Sequence, residues 1–127
     1  MSLNEEKDLS VKIYKIVNFS SAHKLDLPYL SRCNTLHGHN YKSELWIKGK
    51  LDENGMVIDF HDLKKVIKNI DHINLSDKFE WQTTAENLSK YLLNQIYQLS
   101  PNTIEKIKVR VWETETAYAE VSKSFNN

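Results

Sequence analysis

The chain has 127 residues, enough for one domain whose single core would benefit from oligomerisation. Its 17 basic and 17 acidic side chains balance without blocks of like charge, which argues against nucleic-acid and membrane partners. No apolar run is long enough for a transmembrane helix, and the polar first residues do not resemble a signal peptide. The single cysteine excludes an internal disulfide and favours a reducing compartment, so we expect a cytoplasmic protein.

The chain has no repeats, low-complexity segments or linkers, which indicates one domain. We expect residues 1–10 to form a flexible N-terminal tail and residues 11–127 to form the domain. Apolar and polar residues then alternate with the period of a strand. This alternation predicts two strands, over residues 11–19 and 39–51, and the intervening segment 20–36 is predicted to be a loop.

A hairpin is predicted after the second strand. Residues 52–55 (DENG) are turn formers, and residues 56–59 (MVID) would return as a third strand. Asp59 can also cap a helix that begins at Phe60, in which His61 is expected on the surface. The apolar residues of this helix recur at helical spacing and are Phe60, Leu63, Ile67 and Ile70.

A second helix is predicted after Thr84, a good N-cap residue, and Pro101 ends it. Its apolar stripe consists of Leu88, Tyr91, Leu92, Ile96 and Leu99. Further strands are predicted over residues 104–113 and 117–122. The succession of strands, two helices and strands is an α+β pattern with mostly antiparallel pairing.

Three histidines form the strongest functional signal. His37 and His39 flank Gly38, and residues i and i+2 of a strand point to the same side, so both imidazoles can reach one ion. His23, near the end of the first strand, would supply a third ligand if the first two strands pair. Three histidines without a thiolate quartet are typical of a catalytic zinc with an open position. From spacing alone, an incidental His-x-His pair fits equally well.

Two further groups could move protons. Cys33 lies four residues before His37, where a nearby dication would favour the thiolate, a base or a nucleophile. An inert buried thiol is the alternative. In Asp71-His72 the carboxylate could orient the imidazole for proton transfer. Adjacent residues do not usually pair their side chains, so by themselves these two indicate only a polar helix end.

Glu113 falls on the apolar face of the predicted strand over 104–113. A buried carboxylate there costs free energy unless a ligand with paired N–H donors, such as a guanidine-like ring edge, binds to it. A glutamate that reaches water at the edge of the sheet is the alternative. Glu86 has an ordinary explanation, because acidic residues favour the first turn of a helix.

Six segments in order resemble the 6-pyruvoyl-tetrahydropterin synthase family, which includes the 6-carboxytetrahydropterin synthases of the queuosine pathway. They are FSSAH, CNTLHGHNY, GMVIDFHDLK, DHINL, TAEN and WET. The resemblance implies that the zinc ligands are His23, His37 and His39, and that the catalytic triad is Cys33, Asp71 and His72. It implies that the pterin is bound by Glu113, Thr114, Thr84 and Glu86.

The resemblance also implies the T-fold, an antiparallel four-stranded sheet with two helices packed on one face. Sheets of several subunits would join into a barrel, commonly in a hexamer formed as a dimer of trimers. Active sites would be shared, so that His72 of one chain would face Cys33 of another. The implied cofactor is one Zn²⁺ per chain, and the implied substrate is 7,8-dihydroneopterin triphosphate.

The short spacing between Cys33 and His37 resembles the carboxy branch, which forms 6-carboxy-5,6,7,8-tetrahydropterin with release of acetaldehyde and triphosphate. The pyruvoyl branch, which eliminates triphosphate alone, is the alternative. Residues 81–83 (WQT) and Ser76 replace a proline and an asparagine that are common in the family, and the C-terminal tail lacks a glycine ending, so the substrate stays open. A metal-independent thiol hydrolase and a non-catalytic zinc- or pterin-binding protein are further alternatives.

Overall fold

The computed structural model describes residues 9–126, and most of the predicted tail over residues 1–10 lies outside this range. Four strands form one antiparallel sheet in the order β1–β2–β3–β4. The strands are β1 (Val11–His23), β2 (His37–Gly49), β3 (Ile104–Thr114) and β4 (Ala117–Ser124). The helices are α1 (Phe60–Lys68), α2 (Leu75–Lys78) and α3 (Ala85–Tyr97). In the described part of the chain, no helix is long and apolar enough to cross a membrane.

One face of the sheet carries the core, because side chains along a strand alternate between the two faces. On β2 and β3 this face holds Leu45, Ile47, Ile107 and Val109, all fully buried. Helices α1 and α3 contribute buried residues at helical spacing to the same core, and these are Leu63, Ile67, Leu88, Leu92 and Ile96. The predicted α+β architecture is therefore confirmed, with one short helix, α2, that the sequence did not predict.

The predicted starts of the two long helices are confirmed by their caps. The Asp59 carboxylate accepts a hydrogen bond from the His61 N–H at 2.9 Å, and the Thr84 hydroxyl accepts one from the first turn of α3 at 3.2 Å. Two predicted stripe residues do not enter the core, since Phe60 is 47% exposed and Leu99 is 39% exposed. Both lie at helix ends, beyond the turns that face the sheet.

The predicted loop over 20–36 is wrong at its start, because β1 continues to His23. Residues 20–23 pair with residues 37–40 of β2 in the same antiparallel ladder. The polar side chains of this stretch conceal the strand, because they interrupt its apolar alternation: the Ser21 hydroxyl donates to the Ile70 carbonyl, and His23 Nδ1 lies 2.8 Å from the Thr83 carbonyl oxygen. Further along the predicted loop, Arg32–Asn34 forms a single 3₁₀ turn.

The predicted third strand over 56–59 does not form. The turn before it is confirmed: the Asp52 carboxylate accepts from two backbone N–H groups at 2.8 and 3.0 Å, and Gly55 has a positive φ of 78°. The chain then runs directly into α1, which leaves no length for a strand. Val57 and Ile58 are instead buried as core side chains.

The opposite face of the sheet carries a buried glutamate, Glu44, with a full set of donors. The Tyr14 hydroxyl donates to it, Trp112 Nε1 donates at 2.6 Å, and an Arg110 guanidinium nitrogen lies 3.8 Å away. Burial by itself would raise the pKa of Glu44, but these donors and charges outweigh it and hold the pKa below its ordinary value. Glu44 is therefore ionised in the folded protein at neutral pH.

We expect Glu44→Gln to destabilise the protein by about 1 kcal/mol at neutral pH, because bonds to a charged acceptor are stronger than bonds to an amide. A lowered pKa in the folded state gives stability that is present above the unfolded-state pKa and is lost as pH falls. The difference in the free energy of unfolding between Glu44→Gln and the wild type should therefore become smaller below about pH 4.5. Urea denaturation at stepwise lower pH measures this, and a difference independent of pH would contradict it.

Candidate metal centre

Three histidines meet where β1 ends and β2 begins. The register pairs His23 with His37 and Ser21 with His39, which places all three imidazoles on the core-facing side of the sheet. The ring centroids are 4.6 Å apart for His23–His37, 4.8 Å for His37–His39 and 5.1 Å for His23–His39. One ring nitrogen from each residue lies within 4.8 Å of the others, close enough for the three to converge on one ion. We call this group the histidine triad.

Backbone carbonyls orient two of the imidazoles. His23 Nδ1 lies 2.8 Å from the Thr83 carbonyl oxygen, and His37 Nδ1 lies 2.7 Å from the Thr35 carbonyl oxygen. A carbonyl can only accept, so each Nδ1 carries the proton and each Nε2 keeps its lone pair. Metal-binding histidines are typically fixed in this way, by an N–H bond on the side of the ring away from the metal.

Two imidazoles of the triad, those of His23 and His39, are held in the neutral form. Burial lowers the pKa of His23, against the opposing hydrogen bond to Thr83, and burial likewise lowers the pKa of His39. Within residues 9–126, Nε2 of each of these two residues is buried without a hydrogen-bond partner. Orphaned buried nitrogens cost free energy, and a metal ion would remove that cost. The donor set therefore fits a divalent metal such as zinc.

Glu113 borders the triad. Its Oε1 lies 3.4 Å from His39 Nε2, although the pair lacks hydrogen-bond geometry and the neutral imidazole carries no charge to attract it. A β-bulge interrupts the pairing of β3 with β4 between Trp112 and Thr114, at the position of Glu113. The side chain is 30% exposed, so the carboxylate can reach both the triad and a ligand from solvent.

Asp71 and His72 pair with each other, although adjacent side chains usually do not. His72 Nδ1 lies 2.7 Å from Asp71 Oδ1, and His72 adopts a positive φ of 57°, which turns its ring back towards the preceding residue. The same Asp71 oxygen accepts from the Ser20 N–H at 2.9 Å, and the His72 N–H donates to the Ser20 carbonyl at 2.6 Å. The His72 side chain is 81% exposed. The pair is thus anchored to β1 and open to solvent.

Cys33 lies in the 3₁₀ turn and is partly buried. Its backbone is fixed at both ends, because its N–H donates to the Ser31 hydroxyl at 3.1 Å and its carbonyl accepts from the Leu25 N–H at 2.7 Å. In the described part of the chain, no hydrogen bond joins its thiol to Asp71 or His72. A single chain therefore brings Glu113 to the histidine triad and pairs Asp71 with His72. It does not bring Cys33 to that pair, so the predicted catalytic triad is incomplete in one chain.

The other predicted pterin-binding residues have structural roles in the single chain. Thr84 caps α3, and Glu86 is exposed in the first turn of that helix. The Thr114 hydroxyl accepts from the Thr116 N–H at 3.4 Å, and Thr114 lines a depression that none of the triad residues lines. A different open cleft is lined by His39 and His72 together, along with residues 20–22 of β1.

The sequence did not single out the groups that orient the triad. The Thr83 and Thr35 carbonyls are backbone acceptors, which have no side-chain signature. Tyr41 was also missed, although it follows His39 by two residues and therefore shares its face. Its ring centroid lies 5.4 Å from that of His39, and burial raises its pKa. The alternation that selected His37 and His39 could have found it.

A four-stranded antiparallel sheet backed by helices, with three imidazoles converging at one end, defines a T-fold protein with a group of side chains that could hold a metal ion. The comparisons with known proteins agree. This chain belongs to the 6-pyruvoyl tetrahydropterin synthase family, an enzyme family whose model matches residues 12–124. The family resemblance drawn from the sequence is therefore confirmed.

Relatives carry names from both branches of the family. A Pyrococcus horikoshii protein provisionally named 6-carboxy-5,6,7,8-tetrahydropterin synthase is 35% identical and covers 87% of this chain and 89% of its own length. The Haemophilus influenzae 6-carboxy-5,6,7,8-tetrahydropterin synthase is 32% identical, and the match covers 86% of this chain and 96% of that protein. The solved structure of the Caenorhabditis elegans 6-pyruvoyl tetrahydropterin synthase is 27% identical in sequence and has a TM-score of 0.69. The match covers 94% of this chain and 99% of that one.

The triad predicts the metal content of the purified protein. We expect about one zinc per chain in the wild type, and at least a tenfold loss of zinc affinity in His37→Ala or His39→Ala. His61→Ala is the matched control, because His61 is exposed on α1 and lies outside the triad. Elemental analysis after dialysis against a weak chelator measures the content. Full zinc occupancy in both triad variants would contradict the assignment.

Proposed function

We propose that this protein is a zinc-dependent lyase that converts 7,8-dihydroneopterin triphosphate and water to 6-carboxy-5,6,7,8-tetrahydropterin, acetaldehyde and triphosphate. The observation that carries the proposal is the histidine triad, with its orphaned imidazole nitrogens, beside a carboxylate in a member of this family. The relatives named for the carboxy reaction support that branch. A cytoplasmic location stays a prediction.

The metal would be held by His23, His37 and His39. When bound, zinc would supply a Lewis acid that polarises side-chain oxygens of the substrate and acidifies the neighbouring C–H bonds. Three neutral imidazoles also suit other late transition metals, and zinc is proposed because the open three-histidine set is typical of catalytic zinc. The Thr83 and Thr35 carbonyls would keep the imidazoles in the tautomer that can bind.

Glu113 would hold the pterin ring. A pterin presents adjacent N–H groups along one edge, and a carboxylate can accept two hydrogen bonds from such an edge. Because Glu113 lies 3.4 Å from His39, a ring bound there would place its side chain at the triad. We also propose Thr84, Glu86 and Thr114 as pocket residues on the strength of the family resemblance.

Cys33 and the Asp71–His72 pair would move protons. With its Nδ1 proton directed at Asp71, His72 leaves Nε2 free to take or give a proton at the substrate. The thiolate of Cys33 would act as the base at a substrate carbon. Asp71 would hold His72 in this tautomer and stabilise its charged form.

A second subunit would complete the catalytic triad. His72 is 81% exposed, and its pairing with Asp71 fixes it in a position where another chain can reach it. The outer strands, β4 and the part of β1 that precedes Ser20, provide edges through which sheets of neighbouring subunits could pair. We therefore propose a homo-oligomer, in the hexameric arrangement of the family, with its sheets joined into a barrel.

The second candidate function is the pyruvoyl branch, which eliminates triphosphate and keeps the carbon chain. Relatives with pyruvoyl names support it, including the human 6-pyruvoyl tetrahydrobiopterin synthase at 30% identity. The thiol hydrolase has weaker support, because a metal-independent enzyme would leave the buried Nε2 atoms of His23 and His39 without a partner. A non-catalytic zinc- or pterin-binding protein would retain the triad but show no turnover.

Product analysis tests the proposal. Purified zinc-loaded protein incubated with 7,8-dihydroneopterin triphosphate should release acetaldehyde and triphosphate in equal amounts. Triphosphate without acetaldehyde would move the assignment to the pyruvoyl branch. Release of neither product would contradict the lyase assignment and favour the non-catalytic zinc- or pterin-binding protein.

We expect Cys33→Ala to lower turnover by about 100-fold or more, because it removes a proton-transfer group. Zinc content and pterin affinity should be retained, since Cys33 belongs to neither the triad nor the Glu113 site. Single-turnover rates and pterin titrations measure the two effects. Wild-type turnover in this variant would show that the Cys33 thiol takes no part in catalysis.

A further inference from the structure

Tyr41 carries a buried polar atom that the metal site does not explain. Three side-chain nitrogen or oxygen atoms in the described residues are buried without a hydrogen-bond partner, namely His23 Nε2, His39 Nε2 and the Tyr41 hydroxyl. A metal ion would satisfy the two imidazole nitrogens. The Tyr41 hydroxyl belongs to a side chain that is only 1% exposed, so solvent does not satisfy it either. Buried hydroxyls are normally hydrogen-bonded, because an orphaned one costs stability.

The ring of Tyr41 lies beside the histidine triad. Its ring stacks on Phe19, with centroids 4.7 Å apart and planes 6° apart, and meets the His39 ring edge-on at 5.4 Å. The last pair of the β2–β3 ladder is Lys42–Trp112, and Tyr41 and Glu113 are the residues that adjoin this pair on the two strands. Tyr41 is thus a neighbour of His39, the triad residue that lies 3.4 Å from the carboxylate proposed to hold the pterin ring.

Packing does not account for the hydroxyl. A phenylalanine would stack on Phe19 equally well and would avoid the cost of an orphaned polar group. We propose that the Tyr41 hydroxyl donates a hydrogen bond to an oxygen atom held at the triad, from the side chain of a bound pterin or from water. This inference rests in part on the proposed function. It makes Tyr41 a ligand-binding residue that selects pterins with a hydroxylated side chain.

Tyr41→Phe tests the proposal with two probes, neopterin, which carries a trihydroxypropyl side chain, and 6-methylpterin, which lacks those hydroxyls. For the zinc-loaded variant we expect neopterin to bind roughly two- to tenfold more weakly, the range of one hydrogen bond. Affinity for 6-methylpterin and zinc content should be unchanged. The melting temperature should be equal or higher, because the variant loses an orphaned group. Calorimetric titration and thermal unfolding measure these quantities.

Tyr14→Phe is the matched control. Tyr14 lies on the opposite face of the sheet, and its hydroxyl donates to Glu44. This variant should melt at a lower temperature and bind both pterins as the wild type does. Unchanged neopterin affinity in Tyr41→Phe would overturn the proposal. So would equal weakening of both pterins together with a lower melting temperature, because that result indicates a structural role.

A separate measurement distinguishes failure of this inference from failure of the proposed function. If the wild type binds neither pterin, the pterin assignment fails, and the Co²⁺-loaded protein without pterin then decides the role of Tyr41. A shift of the visible cobalt absorption bands in Tyr41→Phe, and none in Tyr14→Phe, would support a hydroxyl that contacts an oxygen at the triad. Identical spectra in both variants would overturn it.

Discussion

The pairing of β1 with β2 is the constraint on which the site depends. Every residue of β1 has a partner, from Val11 opposite Gly49 to His23 opposite His37. Because side chains alternate, a slip of one residue would turn the histidines of one strand to the other face and remove its apolar residues from the core. The apolar half of the ladder therefore sets the register, and the polar half uses that register to bring together three imidazoles.

The segment after α1 is hydrogen-bonded to β1, and these bonds fix the position of the Asp71–His72 pair. The His72 N–H donates to the Ser20 carbonyl, the Asp71 carboxylate accepts from the Ser20 N–H, and the Ala22 N–H donates to the Ile73 carbonyl. These bonds occupy the edge of β1 just before His23. The burial of α1 against the sheet consequently determines where the Asp71–His72 pair stands relative to the histidine triad.

The two faces of the sheet hold their buried titratable groups in different charge states. On the outer face, donors from Tyr14, Trp112 and Arg110 keep Glu44 ionised despite its burial. On the core face, burial outweighs the opposing charge of Glu113 and keeps the imidazoles of His23 and His39 neutral, the form in which a histidine binds a metal. The sheet separates the charged network from the site, so that each group retains the protonation state its role requires.

The sequence by itself determined the period of each long element, the caps at Asp59 and Thr84, and the pairing of His37 with His39 on one face, because these depend on residues close together in the chain. It could not determine that polar residues 20–23 continue β1, since that strand is stabilised by its partner and not by its own apolar pattern. It also could not show the pairing of Asp71 with His72, which needs a left-handed backbone that contacts with β1 hold in place. Only the tertiary structure brought Glu113 beside His39 and left the Tyr41 hydroxyl without a partner, because both depend on neighbours from distant parts of the chain.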